Sequence, residues 1–282
     1  MSITAQRLTV TRASGLVGAE VSGVDFSTPA DDATIAALRA TWLEHGVLFL
    51  RDAAALAPRD FLAFAGRFGT PVEYPFVRGL DGLPQITPVI KEPEERINFG
   101  GVWHSDTAYL ERPPMATMLI AREVPPAGGD TLFADCRAAY DALSPGLRAT
   151  LDGLRAINSS KKADASKTRE DRQKERGAVT NAEVLEAAHP VVRTHPETGR
   201  KALYVNLGHT TRFDGWTEAE SKPLLDFLFA HVTKPEFTCR FSWKPGSIAL
   251  WDNRSVQHYP VNDYHGFRRE MHRVTLQGDV PA

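Results

Sequence analysis

His104 and Asp106 stand two residues apart in Trp103-His104-Ser105-Asp106, and His258 follows far downstream in Trp251-Asp252-Asn253-Arg254-Ser255-Val256-Gln257-His258. Two imidazoles and one carboxylate on one face of a mononuclear iron hold three coordination positions and leave three open, enough for an oxidisable co-substrate and O2 together. A closed four-ligand zinc site keeps none open. In an extended strand residues i and i+2 share a face, so the spacing predicts a strand around His104 that turns His104 and Asp106 to one metal and Trp103 and Ser105 away. Alone, the pair is weak evidence. With 9 His and 35 acidic residues a His-x-Asp arises readily by chance, and most such pairs are surface polar groups. A single His such as His258 is more often a hydrogen-bonded turn residue than a ligand.

Two further stretches strengthen the set. Gly128-Gly129-Asp130-Thr131 follows the first pair, and Arg268-Arg269-Glu270-Met271-His272-Arg273 follows His258. A strand through the second puts Arg269, Met271 and Arg273 on one face. Arg-rich strands are commonly solvated basic faces. Same-face guanidiniums repel, however, and the arrangement is favourable when anions sit between them.

The Trp-His-Ser-Asp run, the Gly-Gly-Asp-Thr turn, the Trp-Asp-Asn-Arg and Gln-His-Tyr segment and the Arg-Arg-x-Met-His-Arg strand are similar in order and spacing to those of the taurine/2,4-D dioxygenase (TauD/TfdA) family. The chain resembles that family over nearly its whole length. The resemblance implies an Fe(II)- and 2-oxoglutarate-dependent dioxygenase that consumes O2. It implies a mainly β fold, a double-stranded β-helix or jelly roll, with surrounding α-helices and a lid-like insertion. Residue by residue, it implies that His104, Asp106 and His258 bind iron and that Thr131 and Arg269 hold the distal carboxylate of 2-oxoglutarate. Arg273 then sits at the inner end, in reach of the metal-proximal carboxylate and of an anionic group on the primary substrate. Iron(II), Asp106 and the 2-oxoglutarate dianion sum to about −1, which the two Arg residues turn into about +1. That leaves room for one more anion, so the expected substrate is a small sulfonate, sulfate ester or carboxylate.

Substrate contacts are legible only where the chain departs from the taurine-specific branch. That branch places His-Pro-x-Tyr after a Phe-Gly matching Phe68-Gly69; here the offsets hold Tyr74, Pro75, Phe76 and Val77. A second pocket aromatic of that branch, a Phe, falls on His209. Its Asn four residues before the first iron ligand falls on Gly100, with Asn98 as a candidate substitute. Tyr74, His209 and Asn98 are therefore the candidate substrate contacts, and taurine itself is disfavoured.

The elements that must position these groups follow from periodicity and punctuation. Leu8 to Thr11 and Gly18 to Val24 predict short strands. Asp31 or Asp32 predicts the cap of a helix carrying Ile35, Leu38, Trp42 and Leu43 up to Gly46, and Val47 to Leu50 a buried strand. Pro58 opens a second helix whose Phe61, Phe64, Ala65 and Phe68 form one stripe, with Gly69 as its stop. Gln85 to Ile90, Ala116 to Glu123, Phe237 to Trp243, Ser247 to Trp251 and Arg268 to Gln277 predict strands. Asp135 and Ser144-Pro145 open short helices, Pro196 to Gly199 joins a hairpin, and Thr217 with Glu220 matches a capping box. Because the ligands lie on both sides of the last helix, residues 1–282 are expected to form one domain, with a charged loop or lid at about 159–188.

With 33 basic and 35 acidic residues the net charge is −2, and no global field recommends nucleic acid. Cys136 and Cys239 form no metal-spaced cluster and suit reduced thiols in a cytoplasm. No run approaches the ~20 apolar residues of a membrane span. Edge strands and exposed helices suit a homo-oligomer, and the resemblance implies a dimer or tetramer. Two alternatives remain at this level: a zinc-dependent hydrolase on the same three ligands, and a non-catalytic jelly-roll protein that binds a small organic acid.

Overall fold

In the centre of the protein, successive residues of each strand face opposite apolar layers, and this alternation builds the fold. The computed structural model describes residues 8–74, 77–98, 100–162 and 184–282. Its larger sheet has eight strands: β1 (Thr9–Arg12), β2 (Ala19–Ser22), β3 (Val47–Leu50), β14 (Ile248–Asp252), β6 (Ala116–Glu123), β16 (Arg269–Leu276) and β4 (Pro71–Val72) in that order, with β5 (Ile86–Lys91) also paired to β16. Met118, Ile120, Leu250, Val274 and Leu276 point to one side of it. There they meet Ile35, Leu38 and Trp42 of α1 (Asp32–His45) and Phe61 and Phe64 of α2 (Pro58–Gly66).

Leu119, Ala121, Ala249, Trp251 and Met271 point to the other side. They pack on Phe133, Cys239, Phe241 and Val256 of a three-stranded sheet ordered β13 (Thr238–Phe241), β7 (Thr131–Asp135), β15 (Val256–Pro260). Two sheets enclosing one apolar layer make the jelly roll. Each fully buried Leu or Phe contributes about 1.5–3 kcal/mol, and no disulfide is needed: Cys136 and Cys239 are buried free thiols.

A third sheet, β12 (Thr210–Phe213), β8 (Arg155–Ser159) and β9 (Glu186–Pro190), and a hairpin of β10 (Val192–Thr194) and β11 (Lys201–Leu203) lie outside this sandwich. The helices α3 (Cys136–Asp141), α4 (Pro145–Leu151) and α5 (Glu218–Val232) are capped as expected. Asp135 accepts from Arg137 and Ala138 N–H, Ser144 from Leu147 N–H, and Thr217 and Glu220 form the capping box. Asp31 caps α1, which ends at Gly46 with φ 73°.

Three expectations need correction. No strand forms around His104, which makes a single isolated bridge before the chain turns through Thr107 at φ 42°. The second helix stops at Gly66 rather than Gly69, because Arg67 and Phe68 N–H close i→i−3 bonds onto Phe64 and Ala65 that tighten its end. β7, which starts at the end of the Gly128–Thr131 turn, and β15, which carries His258, are strands missing from the expected set, since pairing with each other supplies what local patterning lacks. The charged loop or lid expected at about 159–188 is described only at its two ends, where Ser159 and Glu186–Ala188 belong to the paired strands β8 and β9; 163–183 lie outside the described residues.

Candidate active site

The two histidines meet through their backbones. His104 N–H donates to His258 O at 3.1 Å and His258 N–H to His104 O at 2.9 Å, a reciprocal pair that sets both side chains on one face. Their rings lie 4.2 Å apart between centroids. Trp103 stacks on Tyr259 at 5.7 Å and Ser105 Oγ donates to Val256 O. The separation of faces expected from a strand is thus achieved by one bridge and a turn.

One ligand atom from each of His104, Asp106 and His258 lies within 4.8 Å of the others, and all three residues are buried. His104 Nδ1 is 2.7 Å from Val102 O, which makes Nδ1 the donor and leaves Nε2, 3.8 Å from Asp106 Oδ1, as a lone-pair acceptor. Asp106 Oδ2 accepts the Thr117 hydroxyl at 2.6 Å. Burial pushes both histidines below their ordinary range and so keeps them neutral, the state in which imidazole ligates. For Asp106 burial acts upward, but the Arg273 guanidinium, the facing His258 and His104 rings and the Thr117 bond outweigh it and hold the carboxyl ionised. The donor set is therefore ready for a divalent cation. His258 Nδ1 is buried without a hydrogen-bond partner among the described residues, as in a ring that awaits one from outside the protein.

The same period-two alternation that builds the core aims Arg269 and Arg273 of β16 inward beside these ligands. His104, Asp106, His258, Thr131, Arg269 and Arg273 all line one cavity of about 50 Å³, with apolar walls from Leu119 and Trp251. Arg273 Nη2 lies 2.9 Å from Asp106 Oδ1, yet its N–H bonds are not directed at that oxygen, and among the described residues both Nε and Nη2 remain unsatisfied donors. Arg269 likewise has an unsatisfied Nε and lies between the rings of Trp243 and Tyr264, 5.7 and 5.9 Å from its guanidinium carbon. Buried donors without acceptors are costly, so a site that retains several is built for an anion. A larger cavity of about 670 Å³ between β8, β12 and α5 holds none of them; there Lys222 pairs with Asp226.

Of the candidate substrate contacts, two adjoin this cavity. The Tyr74 ring lies under the Arg273 guanidinium at 4.7 Å, and the His209 ring sits edge-on to His104 at 5.8 Å and to Tyr109 at 5.0 Å. Burial and the neighbouring His104 push His209 down to about 3, so it is neutral. Asn98 is not among the residues lining the cavity. Its amide donates to Pro260 and Val261 carbonyls and accepts from the Tyr264 hydroxyl, which commits it to the 260–264 segment. Nor could Gly100 carry an Asn in place: it has φ 69°, and a Cβ there would stand 2.7 Å from the His104 ring.

Sequence reasoning missed three contributors. Trp243 donates its indole N–H to Thr131 Oγ1 at 3.0 Å, which reserves the Thr131 proton for another acceptor. Thr117 was visible only as one polar residue in the apolar part of β6. Asn253 lay inside the Trp-Asp-Asn-Arg run, but nothing local separated its role from that of its neighbours.

The family model described as taurine catabolism dioxygenase TauD, TfdA family matches residues 7–275. The chain belongs to the TauD/TfdA family. Similar proteins include an alpha-ketoglutarate-dependent sulfate ester dioxygenase of Pseudomonas putida, 37% identical over 99% of this chain and 92% of that one. An alkylsulfatase of Acinetobacter baylyi is 36% identical over 98% and 86%. A taurine dioxygenase structure from Burkholderia xenovorans aligns with TM-score 0.81 and 34% identity over 98% of this chain and 91% of that one. AAD-2 in complex with Mn(II) and N-oxalylglycine aligns with TM-score 0.77 and 26% identity over 98% and 99%. Membership and the three-ligand geometry together make this TauD/TfdA protein an Fe(II)- and 2-oxoglutarate-dependent dioxygenase, in place of the zinc hydrolase or the non-catalytic binder. No helix among the described residues is long and apolar enough to cross a membrane.

Proposed function

We propose that this dioxygenase oxidises the carbon bearing the anionic group of a small organic sulfate ester, with sulfonates and carboxylates as the wider class. The observation that carries this reading is Arg273, a buried guanidinium with two unsatisfied donor atoms backed by the Tyr74 ring. Its similarity to a sulfate ester dioxygenase and an alkylsulfatase supports the ester over taurine. In this reading His104, Asp106 and His258 hold Fe(II), which when bound supplies the O2 activation that couples decarboxylation of 2-oxoglutarate to substrate oxidation.

The chain's own groups set orientation. The Thr131 hydroxyl, its acceptor side filled by Trp243, donates to the distal carboxylate of 2-oxoglutarate beside Arg269. Arg273 serves the inner carboxylate and the substrate anion, and Tyr74 and His209 shape the substrate side. Hydroxylation of the carbon next to the ester oxygen gives a hemiacetal-like sulfate that collapses to an aldehyde and hydrogen sulfate, while 2-oxoglutarate becomes succinate and CO2. Residues 1–282 act as one catalytic domain, since the ligands come from distant stretches. We read the two reduced, buried thiols as suiting a cytoplasmic enzyme, and the exposed edges as suiting a dimer or tetramer.

The test is incubation with Fe(II), 2-oxoglutarate and O2 and a series of linear alkyl sulfates, taurine and aryloxyalkanoates. Release of sulfate and succinate in equal amounts from an alkyl sulfate is expected. Succinate release stimulated equally by neutral alcohols of the same length would sink the anion-directed reading.

A further inference from the structure

Asp106 has two carboxylate oxygens, and the protein occupies one of them itself. Oδ2 accepts the Thr117 hydroxyl at 2.6 Å, while Oδ1 faces His104 Nε2 at 3.8 Å and Arg273 at 2.9 Å. Thr117 is fully buried on β6, directly across from Trp251 of β14. That register brings Asn253, just past β14, over Thr117: Asn253 N–H bonds Met115 O at 3.0 Å, and its Nδ2 lies 3.0 Å from Thr117 Oγ1.

The direction of every proton in this chain follows from its far end. The Trp251 indole can only donate, and it lies 3.0 Å from Asn253 Oδ1, so the amide oxygen faces the indole and the amide nitrogen faces Thr117. Thr117 Oγ1 therefore accepts from Asn253, and its single proton is left for Asp106. Asn253 Oδ1 also lies 3.4 Å from Asp106 N, so one amide touches the main chain of the ligand and, through Thr117, its carboxylate. Trp251, Asn253, Thr117 and Asp106 are all buried, which strengthens each link and bars water from substituting for it.

We propose that Thr117 and Asn253 are positioning residues that hold Asp106 to ligation through Oδ1 alone, with Trp251 setting the polarity of the relay. A carboxylate free to turn would offer both oxygens to the cation or both to Arg273; pinned by Thr117, it offers one, and the remaining coordination positions stay open. The proposal rests on the ligand assignment above.

The test measures Mn(II) binding to the protein without 2-oxoglutarate, from the electron paramagnetic resonance signal of the free aqua ion. Thr117→Val keeps the side-chain shape and removes the hydroxyl, and is expected to weaken Mn(II) about 10- to 100-fold. Thr117→Ser, which restores the donor, is expected to bind close to wild type, with both variants unfolding near the wild-type temperature. If Thr117→Val does not fold, Thr117→Ala removes the same hydroxyl with less bulk and carries the same expectation. Unchanged or tighter Mn(II) binding after loss of the hydroxyl, or an equal loss in Thr117→Ser, overturns the relay. Retained binding in His104→Ala would instead overturn the ligand assignment, so the two failures are distinct.

Discussion

Asp252 with Arg254 and Asp106 with Arg273 are both buried acid–base pairs, and the protein treats them in opposite ways. Arg254 grips Asp252 through two nitrogens at 2.8 and 2.7 Å, and the same aspartate takes His195 Nε2 at 2.8 Å. Arg254 also reaches Glu197 at 2.7 Å, which pairs onward with Arg39 at 2.7 Å. Neither Asp252 nor Arg254 leaves a buried polar atom unsatisfied. By contrast, Arg273 touches Asp106 without a directed hydrogen bond and keeps two donors unused, as Arg269 keeps one. The first arrangement ties the Trp251–His258 turn to the β10–β11 hairpin. The second holds charge in reserve at a cost of about 1–3 kcal/mol or more for each unsatisfied group. Burial and charge are alike in these two pairs; what distinguishes them is the donors that Arg273 leaves unspent.

The sharpest test of that contrast is removal of one member from each region. His258→Ala should abolish Mn(II) binding and substrate-dependent succinate release while the unfolding midpoint of the metal-free protein stays at or above wild type. A fold that collapses with it would place His258 among the structural groups. Arg254→Ala strands a buried carboxylate and should cost about 3–5 kcal/mol in urea unfolding, with turnover per folded molecule little changed. Arg269→Met removes an unpaired buried cation, so the metal-free protein should gain about 1–3 kcal/mol even as the concentration of 2-oxoglutarate needed for half-maximal rate rises steeply. Loss of stability in Arg269→Met would mean that its charge is already satisfied.

The smallest expected effect is one of pH. Burial pushes the Asp252 and Glu197 carboxyls up, but hydrogen bonds and charge from Arg254, with His195 on one and Arg39 on the other, outweigh it and hold both below the ordinary values of 3.8 and 4.5. In acid the unfolded chain then binds more protons than the folded one. The stability these carboxylates supply is complete above those ordinary values and drains away as pH falls below them. Urea midpoints should therefore drop between about pH 5 and 3 in wild type, and Arg254→Ala should flatten that limb. An unaltered acid limb in the variant would show that other groups govern it.

Much of the site was legible because its chemistry resides in residue type and short spacing. The inward face of Arg269 and Arg273 follows from period two within one strand, and the helix caps at Asp31, Asp135 and Thr217 follow from local hydrogen bonding. The strand drawn around His104 was wrong for an instructive reason. A His-x-Asp spacing is compatible with any backbone that turns two side chains one way, and here a long-range bridge and a positive-φ residue do so. That Asn98 bonds Pro260, Val261 and Tyr264 was not legible locally, because these partners are distant in the chain.

The chain's order of residues determined which atoms could ligate, which guanidiniums would be near them, and where the helices begin, since each depends on chemistry within a few neighbouring positions. Tertiary structure alone decided that His104 pairs with His258, that Asn253 reaches Thr117 across 136 positions of sequence, and that Arg254 is spent on Asp252 while Arg273 is not. Those outcomes depend on the register between strands far apart in the chain, and side-chain periodicity specifies which face a residue presents without specifying what it will meet there.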